Sequence, residues 1–233
     1  LGLPDLLATG PKTSAELAAA TGALEDPVFR MMRLLASLGL FEETAPRTFA
    51  LTPAGQCLRK GVPGSLRDIA TFITDPMHYQ VYANVMHSVK TGKPASEFTW
   101  GMPAFEVLEK NPQYSKTFND AMTSFSAPIG AAAVEAYDFS GIGTLVDVAG
   151  GHGEILMTIL KANPAMKGIV CDIAHVVEGA KPRIASAGLA DRMQALPCDF
   201  FESVPAGGDA YVMKHITHDW YDDKADRKST RLN

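Results

Sequence analysis

The sequence predicts an α/β protein: a parallel sheet with crossover helices, preceded by an α-helical winged-helix domain. Three observations carry this reading. From Asp138 onward, apolar runs of strand length alternate with helical stretches; the run Thr144-Leu145-Val146-Asp147-Val148 opens into clustered glycines and then a helix; and residues 1 to about 60 read as helix, helix and ribbon. At 233 residues, 46% apolar and 20% charged, the chain can bury one large core or two modest ones.

In chain order, Thr13 and Glu16 make a capping box ahead of Leu17, each side chain taking a backbone N–H that a helix start leaves unpaired, and Gly22 ends that helix. Asp26-Pro27 starts another, on which Val28, Met31, Met32, Leu35 and Leu38 share one face, with Gly39 as the stop. Leu40 to Glu43 and Thr48 to Leu51 alternate around Ala45-Pro46-Arg47, which predicts a two-stranded ribbon. A winged helix invites a DNA-binding reading. However, the second helix offers only Arg30 and Arg33 as bases, beside Glu25 and Asp26, and the ribbon adds Arg47, a thin footprint for nucleic acid. Its Met and Leu face is expected to pack against a neighbour or a second subunit.

From Gly64 to Tyr137 the pattern is helical, interrupted at Pro76, at Gly92-Lys93-Pro94 and at Pro112. Phe118, Met122 and Phe125 fall on one helix face, and such a stripe is ordinarily core. Beyond Asp138, the runs Thr144 to Val148, Gly168 to Cys171, Met193 to Pro197 and Asp209 to Met213 predict four parallel strands.

Glycines where a strand turns into a helix let the backbone approach a ligand closely and leave helix amides facing it. The spacing departs from a dinucleotide fingerprint, because the position three beyond Gly153 is Leu156. Asp172 follows about twenty residues later, where an acid ending the next strand can accept both ribose hydroxyls. An ordinary turn with a solvated aspartate fits the same residues. Ligands of open parallel sheets bind at the carboxyl ends of the strands. Asp147, Asp172 and Asp199 each sit at such an end, and the fourth run leads into Lys214-His215-Ile216-Thr217-His218-Asp219-Trp220. His218 has the chemistry of a general base, although a histidine beside Asp and Trp is as readily a hydrogen-bonded structural residue.

A net charge of -5 supplies no global attraction to nucleic acid or anionic lipid. Cys57, Cys171 and Cys198 are scattered and odd in number, which fits a reducing compartment, and no Cys/His metal spacing occurs. The sequence shows neither a leader nor an apolar stretch of membrane-spanning length, so a cytoplasmic protein is expected. Both ends look cut: Leu1 opens inside an apolar helical pattern, and the tail from about residue 224 lacks an apolar period and reads as non-native.

Taken with Leu51-Thr52-Pro53-Ala54-Gly55, Gly101-Met102, Phe105-Glu106, Cys198-Asp199-Phe200-Phe201 and His218-Asp219-Trp220, these features give a resemblance over Leu1 to about Asp223. The chain resembles the S-adenosylmethionine-dependent O-methyltransferases of the plant caffeate and chalcone type, including hydroxyindole and bacterial polyketide methyltransferases. The resemblance implies a winged-helix dimerisation domain over 1–60, a helical connector with acceptor-pocket helices over 61–137 and a Rossmann-like methyltransferase domain over 138–233, incomplete at its end. It implies that Ala149, Gly150, Gly151 and Gly153 cradle the methionine part of S-adenosyl-L-methionine, that Asp172 takes the ribose, that Asp199 and Phe200 border the adenine, and that Lys214 reaches the carboxylate. His218 matches the family's general base, and Phe118, Met122 and Phe125 fall where relatives line the pocket for a small hydroxylated aromatic. No metal, nucleic acid or membrane partner is implied, and the winged helix looks like a homodimer contact. The family usually has glycine at 149 and 198; alanine at 149 is acceptable provided its φ is negative. Relatives continue through further strands whose acids orient the histidine, so the chain is expected to be weakly stable and poorly active, with His218 lacking its partner and the fourth strand an exposed edge. The alternatives are a hydroxylase or decarboxylase on the same scaffold, or a winged-helix regulator.

Overall fold

The computed structural model describes residues 1–222, 225 and 226, which form two compact units, Leu1–Lys110 and Asn111–Asn233. The expected non-native tail falls mostly on 224 and 227–233, outside the described residues.

The first unit opens with α1 (Leu3–Leu6), β1 (Lys12–Thr13), α2 (Ser14–Thr21), α3 (Glu25–Ser37), β2 (Phe41–Ala45) and β3 (Thr48–Leu51). The capping box forms as expected: Thr13 Oγ1 accepts the Glu16 N–H, and Glu16 Oε2 accepts the Thr13 N–H. Gly22 ends α2 at φ 65°, and Gly39 follows α3 at φ 79°. The ribbon is three-stranded, order β1-β3-β2, rather than two-stranded: Lys12 and Thr13, too short a run to show a period, pair antiparallel with Phe49 and Thr48.

The expected outward use of the α3 face is corrected. Val28 and Met32 are buried with Leu17, Phe41 and Phe49, and Met31 and Leu35 pack on the same cluster, so this face builds the domain's own core. Leu38 leaves that face: as the C-cap it has lost the helical direction, and it is 66% exposed. Arg47 is tied to Glu25 at 3.0 Å and Asp26 at 3.7 Å and lies over the Phe29 ring at 4.0 Å. Six helices follow: α4 (Pro53–Gln56), α5 (Arg67–Ile73), α6 (Pro76–Ala83), α7 (Val85–Thr91), α8 (Ala95–Trp100) and α9 (Ala104–Lys110). Pro76 sits at the start of α6, where a missing N–H is harmless, and Gly92 closes α7 at φ 69°.

The second unit starts with the long α10 (Pro112–Ala136), then alternates β4 (Thr144–Val148), α11 (Glu154–Ala162), β5 (Lys167–Asp172), α12 (Ala174–Ser186), β6 (Met193–Pro197) and β7 (Ala210–Val212). The four strands are parallel in the order β6-β5-β4-β7, so the sheet reverses its winding between β4 and β7. That reversal opens a crevice at the carboxyl ends of the strands. Leu156, Ile159 and Leu160 of α11 are buried with Leu145 and Val170, and Met193 closes the same core. Gly130 of α10 lets the two helices approach: a Cβ there would lie 3.1 Å from the Thr158 Cβ. Arg192 secures the far end of α11, donating to the carbonyls of Leu160 at 2.7 Å, Met166 at 3.0 Å and Asn163 at 3.2 Å. No helix of the described residues is long and apolar enough to cross a membrane.

Candidate functional site

β4 runs out at Val148 into the turn Ala149 to Gly153, and its torsions explain the residue choice. Ala149 lies at φ 54°, Gly151 at 60° and Gly153 at 78°, all in the left-handed region. The expectation of a negative φ at Ala149 is therefore corrected; the alanine is held in a conformation that costs an L-residue about 1–2 kcal/mol. Gly150 is required for space, because a Cβ there would lie 2.4 Å from the Asp147 Cγ. The turn is pinned to β5 and closed by one bond of its own: the N–H groups of Gly150 and Gly151 donate to Cys171 O at 3.3 Å and Asp172 Oδ2 at 2.8 Å, and that of Gly153 to Gly150 O at 2.9 Å. What the turn offers a ligand is close approach, and α11 behind it begins with no side-chain cap on its first-turn amides.

Asp147 lies under the turn with only 2% of its surface exposed. Burial, followed by the charge of Asp172, pushes its carboxyl up to about 7, against the pull of Lys214. The sequence placed Asp147 at a strand end without giving it a role, and its burial was not legible there. Asp172 ends β5 as expected. Its Oδ2 accepts the Gly151 N–H and its Oδ1 accepts the Ile173 N–H at 2.7 Å, so the carboxylate is aimed by backbone on both sides with further lone pairs to offer. Burial raises its pKa while these two amides lower it. On the next strand, the Cys198 N–H donates to Asp172 O at 2.9 Å, which carries the exposed Asp199 beside Asp172. Asp199 Oδ1 accepts the Phe201 N–H at 2.8 Å. Phe200 packs on Val146, Val148 and Cys171 and meets Phe201, whose ring meets Trp220 edge-on at 4.7 Å.

β7 delivers the remaining groups. Lys214 Nζ donates to Ser126 Oγ of α10 at 2.7 Å and lies 5.5 Å from the Phe125 ring centre. Burial lowers its pKa and the Asp147 charge raises it. The Phe125 ring is 5.6 Å from His215, and His215 is 5.3 Å from His218, so a line of rings joins α10 to the expected base. His215 sits at φ 56°, a strained torsion that the sequence did not announce. His218 lies on the single 3-10 turn Thr217–Asp219, with its Nε2 3.0 Å from Asp219 Oδ1. The expectation that His218 lacks a partner is thus corrected: the next residue in the chain supplies one. On α10, Phe118 and Met122 are half-buried and Phe125 is 40% exposed, so the ordinary core reading of this stripe does not hold. Among the described residues, no group of three His, Cys, Asp or Glu side chains could hold a metal ion.

An acid beneath a glycine turn, a second acid ending the neighbouring strand and a reversal of winding beside them define an α/β domain shaped for a nucleoside-bearing cofactor, here joined to a winged-helix unit. Residues 82–231 match the O-methyltransferase domain and residues 1–61 the O-methyltransferase dimerisation domain. The chain belongs to this O-methyltransferase family. It is 40% identical over 225 residues to the phenazine O-methyltransferase PhzM of Lysobacter antibioticus, covering 97% of this chain and 66% of that protein. The Mitomycin biosynthesis 6-O-methyltransferase of Streptomyces lavendulae is 36% identical over 233 residues, covering 100% and 67%. Among solved structures, NcsB1 from neocarzinostatin biosynthesis, in complex with S-adenosyl-L-homocysteine and 1,4-dihydroxy-2-naphthoic acid, superposes with a TM-score of 0.78 at 31% identity, covering 99% of this chain and 71% of that one. The chain spans about two thirds of the length of the curated relatives it matches.

Proposed function

We propose that the protein is an S-adenosylmethionine-dependent O-methyltransferase that acts on a hydroxyl of a small, planar aromatic acceptor. One observation carries the reading: the corner formed by Asp147, the glycine turn and Asp172 is joined, through Lys214 and the rings of Phe125 and His215, to His218. The donor set suits the cofactor. A zwitterionic amino-acid end calls for a buried carboxylate and a cation, which Asp147 and Lys214 provide, and a ribose calls for an acceptor at the end of the second strand, which Asp172 provides. Asp199 and Phe200 border the adenine, and Ala149, Gly150, Gly151 and Gly153 allow the methionine part close approach. When bound, S-adenosylmethionine supplies an electrophilic methyl group on a sulfonium.

The chain's own residues do the rest. Phe118, Met122 and Phe125 hold the acceptor ring against α10 and exclude water. His218 takes the hydroxyl proton, which makes a weak oxygen nucleophile competent, and Asp219 steadies the imidazolium that forms. Holding oxygen and methyl in line supplies much of the remaining barrier reduction. The division of labour we assign is dimerisation by residues 1–60 as a homodimer, acceptor binding by 61–137 and cofactor binding by 138–233. The relative held with 1,4-dihydroxy-2-naphthoic acid supports a fused aromatic acceptor.

The test uses the complete gene product with labelled S-adenosylmethionine, a panel of hydroxylated aromatics, and His218→Ala. The expected result is transfer by the wild type that His218→Ala abolishes while cofactor affinity stays the same. Undiminished transfer by the variant removes His218 from the mechanism, and a wild type that neither binds the cofactor nor transfers methyl overturns the reading.

A further inference from the structure

Beside its aromatic stripe, α10 carries a second strip. Asp120, Thr123 and Ser126 recur every three residues, a spacing that keeps them on one side of the helix. Each is tied to a different element of the sheet domain. Asp120 Oδ1 meets Arg183 Nη2 of α12 at 3.4 Å, Thr123 Oγ1 meets His152 Nδ1 of the glycine turn at 2.9 Å, and Ser126 Oγ accepts from Lys214 Nζ beyond β7 at 2.7 Å. Of the three, only the central tie reaches the turn. The outer pair is long, partly exposed and shared with Lys116, which makes it weak.

His152 is confined on its other side as well. A Cβ on Gly179 of α12 would lie 2.7 Å from the His152 Nε2, so any side chain there would press on the imidazole. Burial, then the Arg183 guanidinium, push its pKa down, so the ring that meets Thr123 is neutral near pH 7. Thr123 Oγ1 also donates to Asn119 O of its own helix at 2.8 Å, which leaves its oxygen to accept from a neutral imidazole that carries its proton on Nδ1, so the bridge forms without burying a charge.

We propose that Thr123 and His152 form a positioning bridge that holds the acceptor stripe of α10 in register with the cofactor turn. This rests on the methyl-transfer reading above for its consequence in catalysis, but not for its geometry. Neither side chain touches a reacting atom. Met122 is the immediate neighbour of Thr123 and Phe125 is two residues on, so a shift of the bridge moves the acceptor wall directly. In-line transfer is sensitive to that: a misplacement of about 1 Å can lower a rate about a hundredfold.

Four variants of the complete gene product test the bridge: Thr123→Val, which keeps the shape and removes the hydroxyl; Thr123→Ser, which restores it; His152→Ala; and the double variant Thr123→Val with His152→Ala. S-adenosylhomocysteine is the probe. The first readout is the slowing of amide hydrogen exchange in residues 112–136 when the probe binds at saturation. The wild type and Thr123→Ser are expected to show it, and Thr123→Val and His152→Ala to lose it while still binding the probe. The second readout is turnover. Each single variant is expected to lower kcat by about tenfold with little change in acceptor KM, and the double variant to be no worse than the poorer single. Retained coupling in Thr123→Val overturns the proposal, as do strictly additive losses in kcat or a wild type whose α10 ignores the probe. Should His152→Ala fail to fold, the Val and Ser pair at 123 decides alone. If the wild type transfers no methyl to any aromatic yet its α10 responds through Thr123, the bridge stands and the proposed reaction falls.

Discussion

Asp147→Asn should make the second unit more stable as the pH rises, because the buried carboxyl is a liability once it ionises. Its pKa moves from the ordinary 3.8 to about 7 in the folded chain. The folded state therefore holds the proton more tightly than the unfolded state. The stability this group contributes is full below pH 3.8 and is lost as the pH rises through 7. The full lift corresponds to about 4 kcal/mol, more than half of which falls between pH 5 and pH 8. An asparagine has the same shape and no charge, and any penalty for its buried amide is the same at every pH. The difference between wild type and variant should thus widen by about 2–3 kcal/mol in the variant's favour from pH 5 to pH 8. Urea unfolding measures it. The chain has two tryptophans, so a Trp100→Phe background leaves Trp220, which packs edge-on against Phe201, as the reporter of the second unit. His152 and His215 titrate in both proteins and cancel, whereas the repulsion between Asp172 and Asp147 is one cause of the lift and belongs to the measured difference. Parallel pH profiles for the two would refute the argument. The same variant should bind S-adenosylhomocysteine more weakly, since the carboxylate is then missing from the corner.

Ala149→Gly relieves a left-handed alanine worth about 1–2 kcal/mol and adds about 0.5–1 kcal/mol of unfolded-state freedom, so a net gain of about 0.5 kcal/mol is expected in the same urea assay; a loss would show that the turn is not strained. Arg192→Ala removes three hydrogen bonds at the end of α11 and should cost about 2 kcal/mol, whereas Arg192→Lys, lacking the fork that spans those carbonyls, should recover less than half. Gly179→Ala places a methyl against His152 and should reproduce, in hydrogen exchange of α10, the uncoupling expected of Thr123→Val; an unaffected helix would mean that the ring has room to move.

The sequence was most legible where chemistry is local. The Thr13 and Glu16 box, the glycine stops at 22 and 39 and the four strands follow from side chains that act within a few residues of themselves or from a simple period. Legibility failed where a property depends on what lies across the fold. Lys12 and Thr13 are a strand only because Thr48 and Phe49 lie beside them. The α3 face is core because α2 and the ribbon cover it, and a hydrophobic stripe does not say what will cover it. The site divides in the same way. The glycines and Asp172 carry a spacing, whereas the partner of His218 is its own neighbour in a 3-10 turn whose geometry no period records.

The positions that resisted reading are also those where the chain departs from its own local preferences, and this has a physical cause. Ala149 and His215 adopt left-handed torsions without being glycine, and Asp147 is a carboxyl with almost no exposure to water. Each departure carries a stability cost of about 1 kcal/mol or more, and all three lie at the carboxyl ends of β4 and β7. A fold selected for stability alone would place glycine at 149 and an apolar residue at 147. Retaining the costlier residues makes sense when a ligand offsets the cost on binding: an ammonium beside Asp147 would return its carboxyl to the ionised form. Ligand binding at this corner should therefore release a proton near pH 6, where the free protein still holds Asp147 protonated. Calorimetry of S-adenosylhomocysteine binding in buffers of different ionisation enthalpy reads that proton. A binding heat independent of the buffer would mean that Asp147 is not what the cofactor neutralises.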